Sequence, residues 1–160
     1  MHPSFRVRKK IIELLNQIVL SADKSSTDTA KELLLEALGD ESSIIKERAL
    51  ELLGNLQYKP AVPKLIEILA KEEKEPVLVE VSKALGKIGD PSSVPALLKA
   101  VSPKTIFRAG KSKGVRVAAL EALIKFGDKR VKNFAKDKDS LIRKIAKEAF
   151  EPAAPSQENP

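Results

Sequence analysis

The side chains best placed to do chemistry in this sequence are lysines and arginines crowded into its last third. Residues 100–150 hold 14 basic side chains against 5 acidic ones, whereas residues 1–99 hold 15 of each sign. The formal charge of +7 therefore arises entirely after residue 99. Lys104, Phe107, Arg108, Lys111 and Lys113 sit in one short stretch. Lys129, Arg130, Lys132, Lys136, Arg143 and Lys144 follow it. A positive patch of this kind attracts phosphates or an acidic protein surface. Other chemistries are poorly supplied. There is no cysteine, which excludes disulfides, thiolate metal sites and thiol nucleophiles, and the single histidine is His2. No histidine-based triad or imidazole acid–base pair can be assembled. Gly110-Lys111-Ser112 mimics the end of a phosphate-binding loop. The full motif needs glycine where Thr105 stands and a strand before it, so the stretch reads as a solvated basic loop.

The remaining charged groups have structural uses. Asp40, Asp90, Asp128 and Asp139 each fall at a turn before a helix, where a carboxylate accepts from unpaired backbone N–H groups. Glu72, Glu73 and Glu75 alternate with Lys71 and Lys74 and read as a solvated turn. Arg116 and Arg143 are expected to pair with turn aspartates. No carboxylate pair stands out as an acid–base couple, and no metal ligand set is apparent. Nucleic-acid binders that stack bases bring exposed aromatics. Aromatics are 4% of this sequence, without tryptophan, and Phe107 is the one plausible candidate.

The elements that must hold these residues are repeated. Ile45–Leu69 overlays Val77–Val101 at a constant offset. Ile45 falls on Val77, Ala49 on Val81, Leu53 on Leu85, Gly54 on Gly86, Pro63 on Pro95 and Leu65 on Leu97. Val115, Ala119 and Leu123 begin a third, degenerate copy. Ile142, Ala146 and Ala149 begin a half-copy. Within a copy, Ile45, Ala49, Leu52, Leu53 and Leu56 keep a helical period, as do Val62, Leu65, Ile66 and Leu69. Gly54-Asn55, Lys59-Pro60 and Gly89-Asp90-Pro91 read as the turns between helices. Such short helices do not persist alone, so the pairs must stack and bury one another's apolar stripes. Phe5–Leu20 and Thr29–Leu38 read as an N-terminal pair, with Asp28 capping its second helix and charged residues on its outer face serving as an end cap. The expected organisation is one solenoid over 1–150. Its copies fall near 3–40, 41–72, 73–101 and 113–137, with a half-repeat at 139–150. A basic insertion occupies 102–112 and a disordered tail 151–160. No apolar run reaches the length of a membrane span, and Glu13, Asn16 and Gln17 interrupt the one stretch that faintly suggests a signal peptide.

The stretch Ala84-Leu85-Gly86-Lys87-Ile88-Gly89-Asp90-Pro91, followed by Val94-Pro95 and Leu97-Leu98, resembles the HEAT repeat family in its short bacterial and archaeal form. It is similar to the repeats of phycobilisome-lyase type. Val115-Arg116 with Ala119, and Ile142-Arg143 with Ala146, resemble the opening of such repeats. The resemblance implies an all-α, right-handed α-solenoid of armadillo type, whose second helices line the concave face and carry Lys129, Arg130, Lys132 and Lys136. It specifies a scaffold and no chemistry. The expected function is a non-catalytic, cytoplasmic interaction scaffold that meets an acidic or phosphorylated protein partner through its basic last third. Nucleic-acid binding through the same face is the alternative. No cofactor, metal, membrane or small-molecule substrate is expected. A lyase activity would rest on resemblance alone, because no cysteine or suitable histidine is present.

Overall fold

In the computed structural model, residues 4–20, 24–103 and 110–150 are described. They form helices and turns with no strand among them, and the helices pack in chain order, so the expected all-α solenoid is borne out. The helices are α1 (Phe5–Leu20), α2 (Lys24–Ala37), α3 (Ser43–Asn55), α4 (Val62–Lys71), α5 (Glu75–Ile88), α6 (Val94–Val101), α7 (Lys113–Lys125) and α8 (Ser140–Glu148). Lys59–Ala61 and Pro91–Ser93 are 3-10 turns that lead into α4 and α6. Lys129–Lys136, expected as an α-helix, is a 3-10 helix. No helix among the described residues is long and apolar enough to cross a membrane.

The first helices stack directly: α3 packs on α5 and α5 on α7, while each second helix packs on the first helix of the next pair. One aliphatic seam runs through the stack. Leu34, Leu53, Leu65, Leu85, Leu97 and Leu123 are all fully buried in it. Each such side chain contributes about 1.5–3 kcal/mol through burial. Gly54, expected in a turn, lies inside α3 against α5. A Cβ there would sit 3.0 Å from the Ala84 Cα. Gly86 repeats the contact one level on, where a Cβ would sit 2.8 Å from the Ala122 Cβ. The glycine shared by both copies is thus a spacing residue. The turn glycine is Gly89, which ends α5 with φ of 71°.

Other expectations at the N-terminal pair change. The second helix begins at Lys24 rather than Thr29, so Asp28 lies within α2 and pairs with Lys31 at 2.8 Å instead of capping. The outer face of α1 is mixed: Arg6, Lys9, Lys10 and Glu13 are exposed on it, as expected. Val7, Ile11 and Leu14 are exposed on α1, beside the face that buries Ile12 and Leu15. Arg8 ties α1 to the next turn by pairing with Asp40 at 2.7 Å and Glu41 at 2.8 Å.

Aspartate capping holds elsewhere. Asp90 accepts from the Ser92 N–H, Asp128 from Arg130, and Asp139 from Leu141 and Ile142. In the turn at Glu72, Lys71, Glu73, Lys74 and Glu75 are exposed as expected, but Glu72 is not. Glu72 accepts from the Lys46 ammonium at 2.7 Å and from the backbone N–H groups of Glu73 and Lys74. The Lys46 hydrogen bond, then the Lys74 N–H, lower its pKa to about 2, against the opposing effect of burial. Stability from this group is therefore present above the ordinary value of 4.5 and is lost as pH falls from there toward about 2. The wild type should exceed Glu72→Gln in melting temperature at neutral pH, and acid titration of both melts should close that gap across this window. A gap independent of pH would contradict the assignment.

Candidate functional site

Several of the residues expected to form a basic face are committed to the fold. Lys104, Phe107 and Arg108 lie outside the described residues. Lys111 is half-buried, and its ammonium donates to the Glu72 carbonyl at 3.4 Å. Lys113 pairs with Asp139 at 3.4 Å. Arg130 forks onto the capping carboxylate of Asp128 at 2.9 and 2.6 Å, which holds the carboxyl pKa below its usual range and raises that of the guanidinium. Burial works against the Asp139 carboxylate, but the Ile142 and Leu141 N–H groups and Lys113 outweigh it and keep its pKa low. Arg143 donates to the carbonyls of Asp137 and Lys138 at 2.7 and 3.1 Å, not to an aspartate side chain as expected. Arg116 does pair with Asp137, at 2.5 Å. Lys132 lies 5.0 Å from the Phe150 ring centroid, and Lys144 faces Glu148 at 3.8 Å. Lys129 and Lys136 are exposed. Arg143 and Lys144 share a shallow depression with Lys147 on α8, whereas Lys111 belongs to a different groove.

A groove that sequence reasoning missed crosses the first helices. It has a volume of about 470 Å³ and lies between α1, α3 and α5. Ile12, Ile44 and Ile45 supply apolar wall, and Ile44 is 59% exposed. Four carboxylates line it: Glu13 from α1, Glu47 and Glu51 from α3, and Glu80 from α5. Lys9 and Arg48 are the cations on the same lining. Glu13 pairs with Lys10 at 3.4 Å, Glu80 with Lys83 at 3.2 Å, and Glu51 with Arg48. Glu47 is half-buried and makes no ion pair among the described residues. Helical geometry explains the convergence. Glu47 and Glu51 are one turn apart on α3, and the stacking of first helices brings Glu80 alongside. Isoleucine walls with several carboxylates suit an aliphatic chain carrying amines.

Among the described residues, no group of three or more His, Cys, Asp or Glu side chains could hold a metal ion. The donor set of the described residues does not fit a resident metal.

Helix pairs stacked on one continuous seam define the α-solenoid repeat class. A family model described as HEAT repeats matches residues 31–110, half of the chain, and the chain belongs to the HEAT repeat family. It is similar to deoxyhypusine hydroxylase of Homo sapiens, at 32% identity over 93 residues, which is 58% of this chain and 30% of that protein. It is also similar to deoxyhypusine hydroxylase of Bos taurus, at 33% over 92 residues, and of Danio rerio, at 33% over 94 residues. These matches cover 57% and 58% of this chain, and 30% of each relative. The similarity thus spans under a third of each relative's length. These relatives are enzymes. That finding overturns the expectation of a non-catalytic scaffold for an acidic partner, together with its nucleic-acid alternative.

Proposed function

We propose that this chain works in the hydroxylation of deoxyhypusine and that the groove between α1, α3 and α5 receives the amine-bearing arm of that residue. The observation that supports this reading is the acid-rich, isoleucine-walled groove on a chain similar to deoxyhypusine hydroxylases. Deoxyhypusine extends a lysine by an aminoalkyl arm, so it presents ammonium groups along a flexible hydrocarbon. Glu47, Glu51 and Glu80 would accept from the ammoniums, and Ile44 and Ile45 would cover the methylenes. The chain's own contribution is to bind and orient the arm. Charge-assisted hydrogen bonds supply the specificity, at about 1.5–3 kcal/mol each.

Titration calorimetry with a short peptide bearing deoxyhypusine tests the reading. The peptide should bind more tightly than the same peptide with unmodified lysine, and more tightly than the hydroxylated product peptide. Glu47→Gln with Glu80→Gln should weaken it by about tenfold or more. Both side chains are half-buried and glutamine keeps their shape, so the double variant should fold normally. Equal affinity for the three peptides, or an unchanged constant in the double variant, would contradict the assignment.

A further inference from the structure

A second groove, of about 510 Å³, lies on the other row of helices, between α4 and α6. Its volume falls within the range of about 300–1,000 Å³ common to small-molecule sites. Ile66, Leu69 and Ala70 enter it from α4 at helical spacing, and Ala96 and Ala100 face them from α6. The alanines keep the two helices' side chains from filling the space between them. Among the described residues, the polar side chains on its lining are Lys99 and Lys111, and no carboxylate lines it. This is the reverse of the acid-rich groove on the first helices.

Lys111 anchors the charge. Its ammonium is half-buried and gives a long hydrogen bond, 3.4 Å, to the Glu72 carbonyl. An ammonium carries three donors, so that bond leaves donor capacity at the groove. Burial holds the Lys111 pKa below the ordinary lysine value, Glu72 pulls it back up, and the charge of Lys99 pushes it down again. An anion placed beside the Lys111 ammonium would offset its burial and stabilise the charged form.

We propose that the groove between α4 and α6 is a binding site for an apolar carboxylate. The hydrocarbon body of this ligand lies on Ile66, Leu69 and the alanines, and its carboxylate reaches Lys111 and Lys99. The site is separate from the acid-rich groove, and its occupancy does not depend on the activity proposed above.

Decanoate, used below its micellar concentration, is the probe, with decanol and decylamine as controls on the full 160-residue chain. Calorimetry should show saturable one-to-one decanoate binding, weaker by about tenfold or more for either control. Lys111→Met should lose about tenfold in decanoate affinity. Lys99 is exposed, so Lys99→Met reads the charge independently of packing and should also weaken binding. Ala70 is exposed as well, and Ala70→Trp should block the groove while leaving the thermal melt in place. Decanol binding as tightly as decanoate, decanoate affinity unchanged by both lysine variants, or the absence of saturable decanoate binding would each overturn the proposal.

Discussion

Asp137→Ala is expected to lower stability by about 3–5 kcal/mol, because it strands a buried guanidinium. The Arg116 and Asp137 side chains are 11% and 4% exposed and meet at 2.5 Å. Arg116 also donates through Nε to the Val101 carbonyl at 2.7 Å, and Asp137 accepts the Asp139 N–H at 2.8 Å. The pair therefore joins the end of α6, the body of α7 and the turn before α8. Removing the carboxylate leaves the cation with one carbonyl and removes the acceptor that orders that turn. Urea unfolding followed by circular dichroism should show a lower midpoint. A solenoid's stability is carried by neighbour contacts, so hydrogen exchange should speed up first in α8 and the Lys129–Lys136 helix. Replacing both members with apolar side chains, Arg116→Met with Asp137→Leu, should recover much of the loss. A single variant as stable as the wild type would show that the pair does not hold the C-terminal repeat.

Gly86→Leu is the second large effect, expected to cost about 3 kcal/mol at the upper end of overpacking. The first side-chain atom alone would lie 2.8 Å from the Ala122 Cβ and 3.0 Å from its Cα. The Cα is backbone and cannot rotate away. Glycine to leucine gains about 1 kcal/mol of helix propensity, which is too little to offset a forced separation of α5 and α7. Thermal melts should rank wild type, then Gly86→Ala, then Gly86→Leu. Adding Ala122→Gly should recover part of the Gly86→Ala loss, since it removes the facing methyl. The same order without that recovery would place the strain elsewhere.

Much of the fold was legible because one register carries it. The overlay that sets Gly54 on Gly86 and Leu53 on Leu85 described real stacked levels, and Asp90, Asp128 and Asp139 cap as their positions imply. Local signals misled where tertiary contacts overrode them. Asp28 read as the cap of a helix from Thr29, yet α2 starts at Lys24, because an Asp that pairs with Lys31 is also compatible with a helix interior. Gly54 read as a helix end because a close helix–helix approach has no one-dimensional signature.

The site was less legible for two physical reasons. Formal charge ignores pairing, so Arg130 and Arg143 counted toward a basic face while the fold uses them to hold turns. The acidic groove was hidden by the charge balance of residues 1–99. Its carboxylates come from three helices, and only stacking brings Glu13 and Glu80 to the same cleft as Glu47. Glu47 and Glu51, one turn apart, were the available signal. Two acids a turn apart do not by themselves say which helix face opens onto a groove.

The most direct measurement is a methyl-resolved NMR titration of the isoleucine-labelled chain with the deoxyhypusine peptide. Saturable shifts should appear at the methyls of Ile12, Ile44 and Ile45, be smaller with the lysine peptide, and weaken in the Glu47→Gln, Glu80→Gln variant. Shifts confined to other isoleucines, or no shifts at these three at saturating peptide, would contradict the placement of deoxyhypusine in this groove.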